Sequence, residues 1–396
     1  MNIGLALSGG GFRATVYHLG VLARLAEQDL LEKVTFLSTV SGGSLCAGLV
    51  YSKSNWGWPS SVVYKETVLP KSRETLTTTD LQRGLILRVL TEPWKIFEPR
   101  ASALSKLLQQ QWGITAKLGE LTEKPRWLIN ATCYETGKNW RFERIRMGDY
   151  RFGYSHDTQV PLSDAMTASS GFPGLVGALP FKTGSFSWFN YNDQAGVITE
   201  PSDPKEDLQR ETRPVTPAYS QVHLWDGGVY DNFGLEGVFD VDRGWRKDID
   251  LLIVSDAAGR PKPEEYQTGV NALLRMITDI MMDQIHALRT RALMERINQG
   301  DPGVLLKTGT TCEHVLRNSE HADEITRVSA QCLESTQAAR VENFATTINR
   351  LSPDDFELLF RHGYEVADYT LYAYAGGKFL GYANSPSAKI AASTNT

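Results

Sequence analysis

Cysteine is scarce in this chain. Its four thiols, Cys46, Cys133, Cys312 and Cys332, lie far apart and lack histidines at metal-site spacing. That excludes a local zinc knuckle and reads as reduced thiols in a cytoplasmic protein. Long apolar runs are missing too, since no uninterrupted stretch reaches the roughly 20 residues that cross a bilayer as a helix. The start, MNIGLALSGGGF, has no basic residues to mark a secretion signal, and glycines break its apolar run. Charge of one sign is also lacking. With 41 basic and 46 acidic residues the net charge is only -5, which gives no electrostatic reason to expect nucleic acid.

What is present is an ordinary globular composition. The 396 residues are 41% hydrophobic and 10% aromatic, enough for one large core. The first fifty residues alternate in a regular way: an apolar run over 2–7, the turn Ser8-Gly9-Gly10-Gly11, and helical periodicity over 13–27. A β-branched run over 34–40 follows, then Ser41-Gly42-Gly43 and a helix from Leu45. Strand, glycine turn, helix, strand, sharp turn, helix predicts an α/β unit with a largely parallel sheet.

Beyond it, residues 55–120 read as an insertion with helix-like runs at 81–90 and 103–110. Strand rhythm returns at 126–133 and 140–145. A short helix is expected over 162–170, a long polar loop over 182–220, and further strands at 221–225 and 251–254. Val270, Leu274, Ile277, Met281, Ile285 and Leu288 form a stripe at helical spacing. The expectation is a helix packed on the sheet, with a membrane-facing or dimer-forming surface as the lesser reading. Ser352-Pro353-Asp354-Asp355 has the cap, proline and acids of a helix start. The helical part is expected over 265–380, closing a single domain of residues 1–380 with a frayed tail over 385–396.

Three local features carry chemistry. Gly9-Gly10-Gly11, between a strand and a helix, leaves backbone amides uncovered beside a helix N-terminus, where a phosphate or an oxyanion can sit. The turn lacks both the GxGxxG order and the Lys-Ser/Thr ending of a P-loop. Thr39-Val40-Ser41-Gly42-Gly43-Ser44 has the mechanics of a nucleophile elbow, with Thr39 where GxSxG has its first glycine. A plain helix N-cap at Ser41 is the alternative, and Ser44, a turn into the helix, is the weaker nucleophile. His223-Leu224-Trp225-Asp226-Gly227-Gly228 places Asp226 at a strand end, where its carboxylate can activate a serine or simply cap the turn. Strand alternation turns His223 away from Asp226, which favours a Ser-Asp dyad and leaves a histidine distant in sequence open.

Together, Ser8-Gly9-Gly10-Gly11-Phe12-Arg13, Val40-Ser41-Gly42-Gly43-Ser44 and Asp226-Gly227-Gly228 resemble the patatin-like phospholipase family. The resemblance covers roughly residues 1–260. Asn130-Ala131-Thr132 with Gly137, and Ala168-Ser169-Ser170-Gly171-Phe172-Pro173-Gly174, extend it. Thr39, and Gly234 where the family often has proline, depart from the pattern.

The resemblance implies a three-layer α/β fold, with a mostly parallel central sheet flanked by helices. It also implies catalysis by Ser41 and Asp226 without cofactor or metal. Gly9, Gly10 and Gly11 would form the oxyanion hole, with Arg13, Gly43 and Gly228 supporting the site. Phe172, Pro173 and Leu175 are candidates for an acyl groove. The implied substrate is a phospholipid or another lipid ester, met by transient membrane contact through the 108–112 neighbourhood or the 182–220 loop. A general carboxylesterase, lysophospholipase or transacylase would share the same dyad. A phosphate-binding module on the first glycine turn and a non-catalytic scaffold are the rivals of other classes.

Overall fold

The computed structural model describes residues 1–85, 99–192, 209–246 and 248–393, the side chains of 390–393 excepted. Twelve strands make one sheet. In chain order they are β1 (Ile3–Leu7), β2 (Val34–Val40), β3 (Arg126–Cys133), β4 (Lys138–Phe142), β5 (Met147–Asp149), β6 (Gly153–Ser155), β7 (Leu179–Lys182), β8 (Trp188–Tyr191), β9 (Thr212–Val215), β10 (Gln221–Asp226), β11 (Leu251–Asp256) and β12 (Gly303–Lys307).

β12, β11, β1, β2 and β3 run parallel, in that order across the sheet. From β4 onward the pairings are antiparallel. β1 is apolar apart from one glycine and buried along its whole length, as a strand covered on both faces must be. Side-chain alternation splits the core in two. Leu5, Leu7, Leu37 and Ile253 join one apolar cluster, while Ala6, Phe36, Leu252 and Val254 join another on the opposite face.

Helices flank this sheet. The ones that matter below are α1 (Gly11–Ala26), α2 (Gly42–Lys53), α3 (Leu69–Thr78), α4 (Arg100–Trp112), α5 (Leu162–Ser169), α6 (Gly228–Asp231), α7 (Val270–Arg275), α8 (Met282–Asn298), α9 (Pro353–Tyr374) and α10 (Pro386–Ser393). α9 starts where the sequence predicts, with the Ser352 hydroxyl accepting the Asp355 amide at 3.1 Å. It packs against α1 at a crossing only glycine permits. A methyl at Gly20 would lie 2.0 Å from the Phe360 carbonyl oxygen, and one at Gly363 would lie 2.0 Å from that of Tyr17. One turn further on, the buried Arg24 guanidinium pairs with Asp368 at 2.5 Å.

Several expectations need correcting. Part of the 182–220 loop is sheet: β8 and β9 pair through Trp188 to Val215 and Tyr191 to Thr212. The aromatic residues of β8 pack against Phe152, Tyr154 and Phe186, which outweighs the polar composition around them. Residues 193–208 of that loop, and 86–90 of the helical run, lie outside the described residues.

The 55–120 region supplies core. Leu104 and Leu108 are fully buried and Trp112 stacks on Phe12 of α1, so the apolar side chains of the 108–112 neighbourhood face the core and leave glutamines at the surface. The tail is helical through Ser393, because Ser385 caps α10 and the Ser387 hydroxyl donates to Glu27. The 270–288 stripe does not pack on the sheet. Of the residues in α7, α8 and the π-helical turn Met276–Met281 between them, only Leu293 is buried.

Candidate active site

Two strand ends meet head-on along one edge of β3. β2 runs parallel to β3 and stops with Val40 opposite Asn130. β10 arrives antiparallel on the same edge and stops with Asp226 opposite Ala131. Ser41 and Asp226 therefore emerge beside each other, although 185 positions separate them in the chain. β3 fastens both ends. The Asn130 amide donates to Ser38 Oγ and the Thr39 carbonyl, and the Thr132 hydroxyl donates to the Asp226 carbonyl.

Ser41 sits at φ 50°, ψ -116°, a conformation rarely taken by residues with a side chain. Such a position costs about 1–3 kcal/mol and persists only where surrounding contacts impose it. Those contacts are short and specific. A methyl at Gly42 would lie 2.4 Å from the Gly11 carbonyl oxygen, and one at Gly43 would lie 2.3 Å from that of Leu7. The Gly43 amide donates to the Ser8 carbonyl. Beneath the elbow a chain of hydroxyls runs from Trp127 Nε1 through Thr39 and Ser44 to Ser169, whose Oγ accepts the Ser41 amide at 3.0 Å. Thr39 thus serves the network its hydroxyl reaches, and Ser44 is occupied within it and fully buried.

Asp226 is 1% exposed. Its Oδ1 accepts the Gly228 amide at 2.8 Å. Burial raises the carboxyl to about 7, opposed by the Gly228 amide and by the Ser41 hydroxyl. Oδ2 has no hydrogen bond of standard geometry among the described residues. The serine is thus close enough to favour the charged form without being optimally aligned, which is common in a resting active site.

The glycine turn closes the third side. The Gly9 amide donates to the Asn232 carbonyl, so it is not free for a ligand. The Gly10 and Gly11 amides have no partner among the described residues. Gly10 (φ 142°) and Gly11 (φ 60°) hold backbone angles that residues with a side chain rarely adopt, and a methyl at Gly9 would lie 3.0 Å from Ser41 Cβ. Arg13 donates from Nε to the Ala257 carbonyl at 3.0 Å and from Nη1 to the Phe344 carbonyl. Its guanidinium is committed to holding chain segments together, and burial lowers its pKa to about 10.

Phe172, Pro173 and Leu175 are half-buried on the turn after α5. That turn reaches the aspartate through the Gly171 carbonyl, which accepts the Asp226 amide at 3.2 Å. None of the seven histidines bonds Ser41 or Asp226. His223 pairs with Glu135, and His18 bridges the Ser8 carbonyl and the Ser255 hydroxyl. No cluster of three or more potential metal ligands occurs among the described residues.

Two positioning residues escape a sequence reading. Ser169 lies in the Ala168–Gly174 stretch but looks like any helix serine, and only the fold brings its Oγ under Ser41. Asn232, six residues past Asp226, shows its proximity to Gly9 only once the loops are folded.

A model of the patatin-like phospholipase family matches residues 5–239, more than half of the chain. Among solved structures, human GIVD cytosolic phospholipase A2 superposes with a TM-score of 0.51 at 14% identity, over 99% of this chain and 63% of that one. Its complex with methyl gamma-linolenyl fluorophosphonate and terbium chloride gives 0.49 at 12% identity, over 99% and 60%. VipD from Legionella pneumophila gives 0.34 at 11%, over 98% and 70%. The chain thus spans less than two thirds of the human enzyme, and the likeness to it is one of fold. No curated protein matches the sequence. With the parallel core strands, the glycine turn and the two loops that meet on β3, the family match makes the assignment plain: the chain belongs to the patatin-like phospholipase family.

Proposed function

We propose that the protein is a lipid acyl hydrolase of phospholipase A type, working through a Ser41–Asp226 dyad. The observation that carries this reading is the placement of a strained serine, at a strand-to-helix turn, beside a buried carboxyl raised to about 7. Asp226 takes the hydroxyl proton as Ser41 Oγ attacks the ester carbonyl. The Gly10 and Gly11 amides stabilise the oxyanion that forms. Collapse passes the proton from Asp226 to the departing alcohol or lysophospholipid and leaves an acyl-serine. Water then attacks that ester, Asp226 takes its proton and returns it to Ser41, and the fatty acid leaves.

A base is most effective when its pKa lies near the working pH, and about 7 meets that condition without a histidine. The test is fatty-acid release from phospholipids, lysophospholipids, triglycerides and short p-nitrophenyl esters by the wild type, Ser41→Ala and Asp226→Ala. Release from phospholipid that disappears in both variants supports the dyad and the substrate class together. Release confined to short esters would replace the phospholipase reading with a general esterase. Undiminished turnover by Ser41→Ala would remove the nucleophile.

A further inference from the structure

The apolar helix face over residues 270–288 has no role in the chemistry just described, and the fold leaves it in solvent. Val270, Leu273, Met281 and Leu288 are 72%, 60%, 55% and 59% exposed, and Met276, Ile277 and Ile280 are exposed as well. Leu273, Met276, Ile277, Ile280 and Met281 recur at three- and four-residue spacing along the exposed side of the arm, while Arg275, Thr278 and Asp279 between them are less exposed. Nothing in α7 or the π-helical turn is buried.

The other half of this arm is attached to the candidate active site. His286 stacks on Phe233 at 4.3 Å and lies 3.1 Å from Asp256, and Arg289 pairs with Asp231 and Glu236. Asp231 and Phe233 belong to the loop that Asp226 begins, so the exposed face projects from the catalytic loop itself.

We infer that this arm is the surface by which the protein docks on a lipid layer of zwitterionic headgroups. The inference rests on the reading of the site as a lipid acyl hydrolase. Charge decides which surface it fits. Residues 260–289 carry four basic and four acidic side chains, so the arm has no net attraction for an anionic membrane. What it offers is flexible aliphatic and thioether side chains that fit a disordered acyl boundary. Tyr266, 89% exposed at the base of the arm, adds an apolar ring with a polar tip suited to the headgroup level. Docking there would anchor at the lipid layer the loop that follows Asp226.

The experiment is flotation of the full chain with vesicles of ether-linked phosphatidylcholine, which cannot be hydrolysed. The variants are the triple substitution Leu273→Glu, Ile277→Glu, Met281→Glu, which retains helix propensity on an exposed face, and Leu273→Trp. The wild type should float with these vesicles, and the triple variant's partitioning should fall by about tenfold or more. Leu273→Trp should keep binding and shift its fluorescence to the blue on vesicles. Adding anionic lipid should change wild-type binding by about twofold or less. Turnover of a short soluble ester by the triple variant should match the wild type, which shows that the fold is intact.

The inference is overturned if the wild type does not float, if the triple variant floats as well as the wild type, or if binding requires anionic lipid. It is also overturned if the triple variant only converts a dimer to a monomer in sedimentation while vesicle binding persists. Failure of the hydrolase reading shows separately, as no ester turnover in a protein that still floats through this face.

Discussion

Replacing Asp226 by asparagine should abolish activity and at the same time make the protein more stable, by an amount that grows with pH. A carboxyl held at about 7 instead of the ordinary 3.8 binds its proton more tightly in the folded chain than in the unfolded one. Below about pH 4 both states are protonated and nothing is lost. Between about 4 and 7 the unfolded state releases its proton first, so the wild type loses stability as pH rises, and above 7 the loss is complete. At 1.36 kcal/mol for each pH unit between the two values, the loss is about 4 kcal/mol at pH 8 and about 1.6 kcal/mol at pH 5.

Asparagine cannot ionise, and its oxygen can still accept the Gly228 amide. An unfolding entropy of about 2.1 cal/mol/K per residue converts these figures into a Tm advantage of about 5 °C at pH 8 and about 2 °C at pH 5. Calorimetry of both proteins across pH 5–8 measures it. The same ionisation should appear in wild-type kcat/KM for a short soluble ester, rising about tenfold per pH unit below 7 and flat above. A Tm difference independent of pH, or an asparagine variant less stable throughout, would refute the assignment of a buried, near-neutral base.

Gly20→Ala should lower stability by about 2–3 kcal/mol, because its methyl would lie 2.0 Å from a backbone oxygen of α9; denaturant titration reads this, and a change under half a kcal/mol would disprove the tight crossing. Arg24→Met should cost about 3–5 kcal/mol, since Asp368 would be left buried with only the Leu380 and Gly381 amides; equal stability of the wild type and variant in the same titration would count against it. Ser169→Ala should lower kcat about tenfold with KM unchanged, because the elbow amide of Ser41 loses its acceptor and the strained turn loosens. Steady-state kinetics on a soluble ester decides this, and unaltered kcat would show that the hydroxyl chain is dispensable.

Much of the fold could be read from the chain because its signals are local. β1, the glycine turn, α1, β2 and the Ser41 turn each announce themselves within a dozen residues, and α9 carries its cap and proline. Local pattern misleads where tertiary context decides the outcome. Trp188, Phe189 and Tyr191 sit in a polar stretch and become strand only through aromatic partners elsewhere. The 270–288 stripe has the periodicity of a packed helix, but periodicity fixes which residues share a face and not what covers it. The Ser41–Asp226 meeting belongs to a third kind. Each motif is visible alone, while their proximity follows from two strands ending on neighbouring residues of β3, a register no local pattern encodes.

The glycine turn shows why a site built near the start of the chain depends on its far end. Three glycines supply the backbone angles of the turn, but they bring no side chains to hold those angles and leave the unfolded turn with high entropy. Its shape must be imposed from outside. The Gly9 amide is held by Asn232, the Ser8 hydroxyl by the Ala257 amide and the Phe12 amide by Thr347, while Arg13 grips the Ala257 and Phe344 carbonyls. Three separated stretches, around 232, 257 and 345, therefore fix one loop of four residues. The family match ends at residue 239, yet two of those stretches lie beyond it. Chain beyond the family match, in the loops at 257 and 344–347, is thus part of what shapes the turn, and α9 packs on α1, the helix that the turn begins.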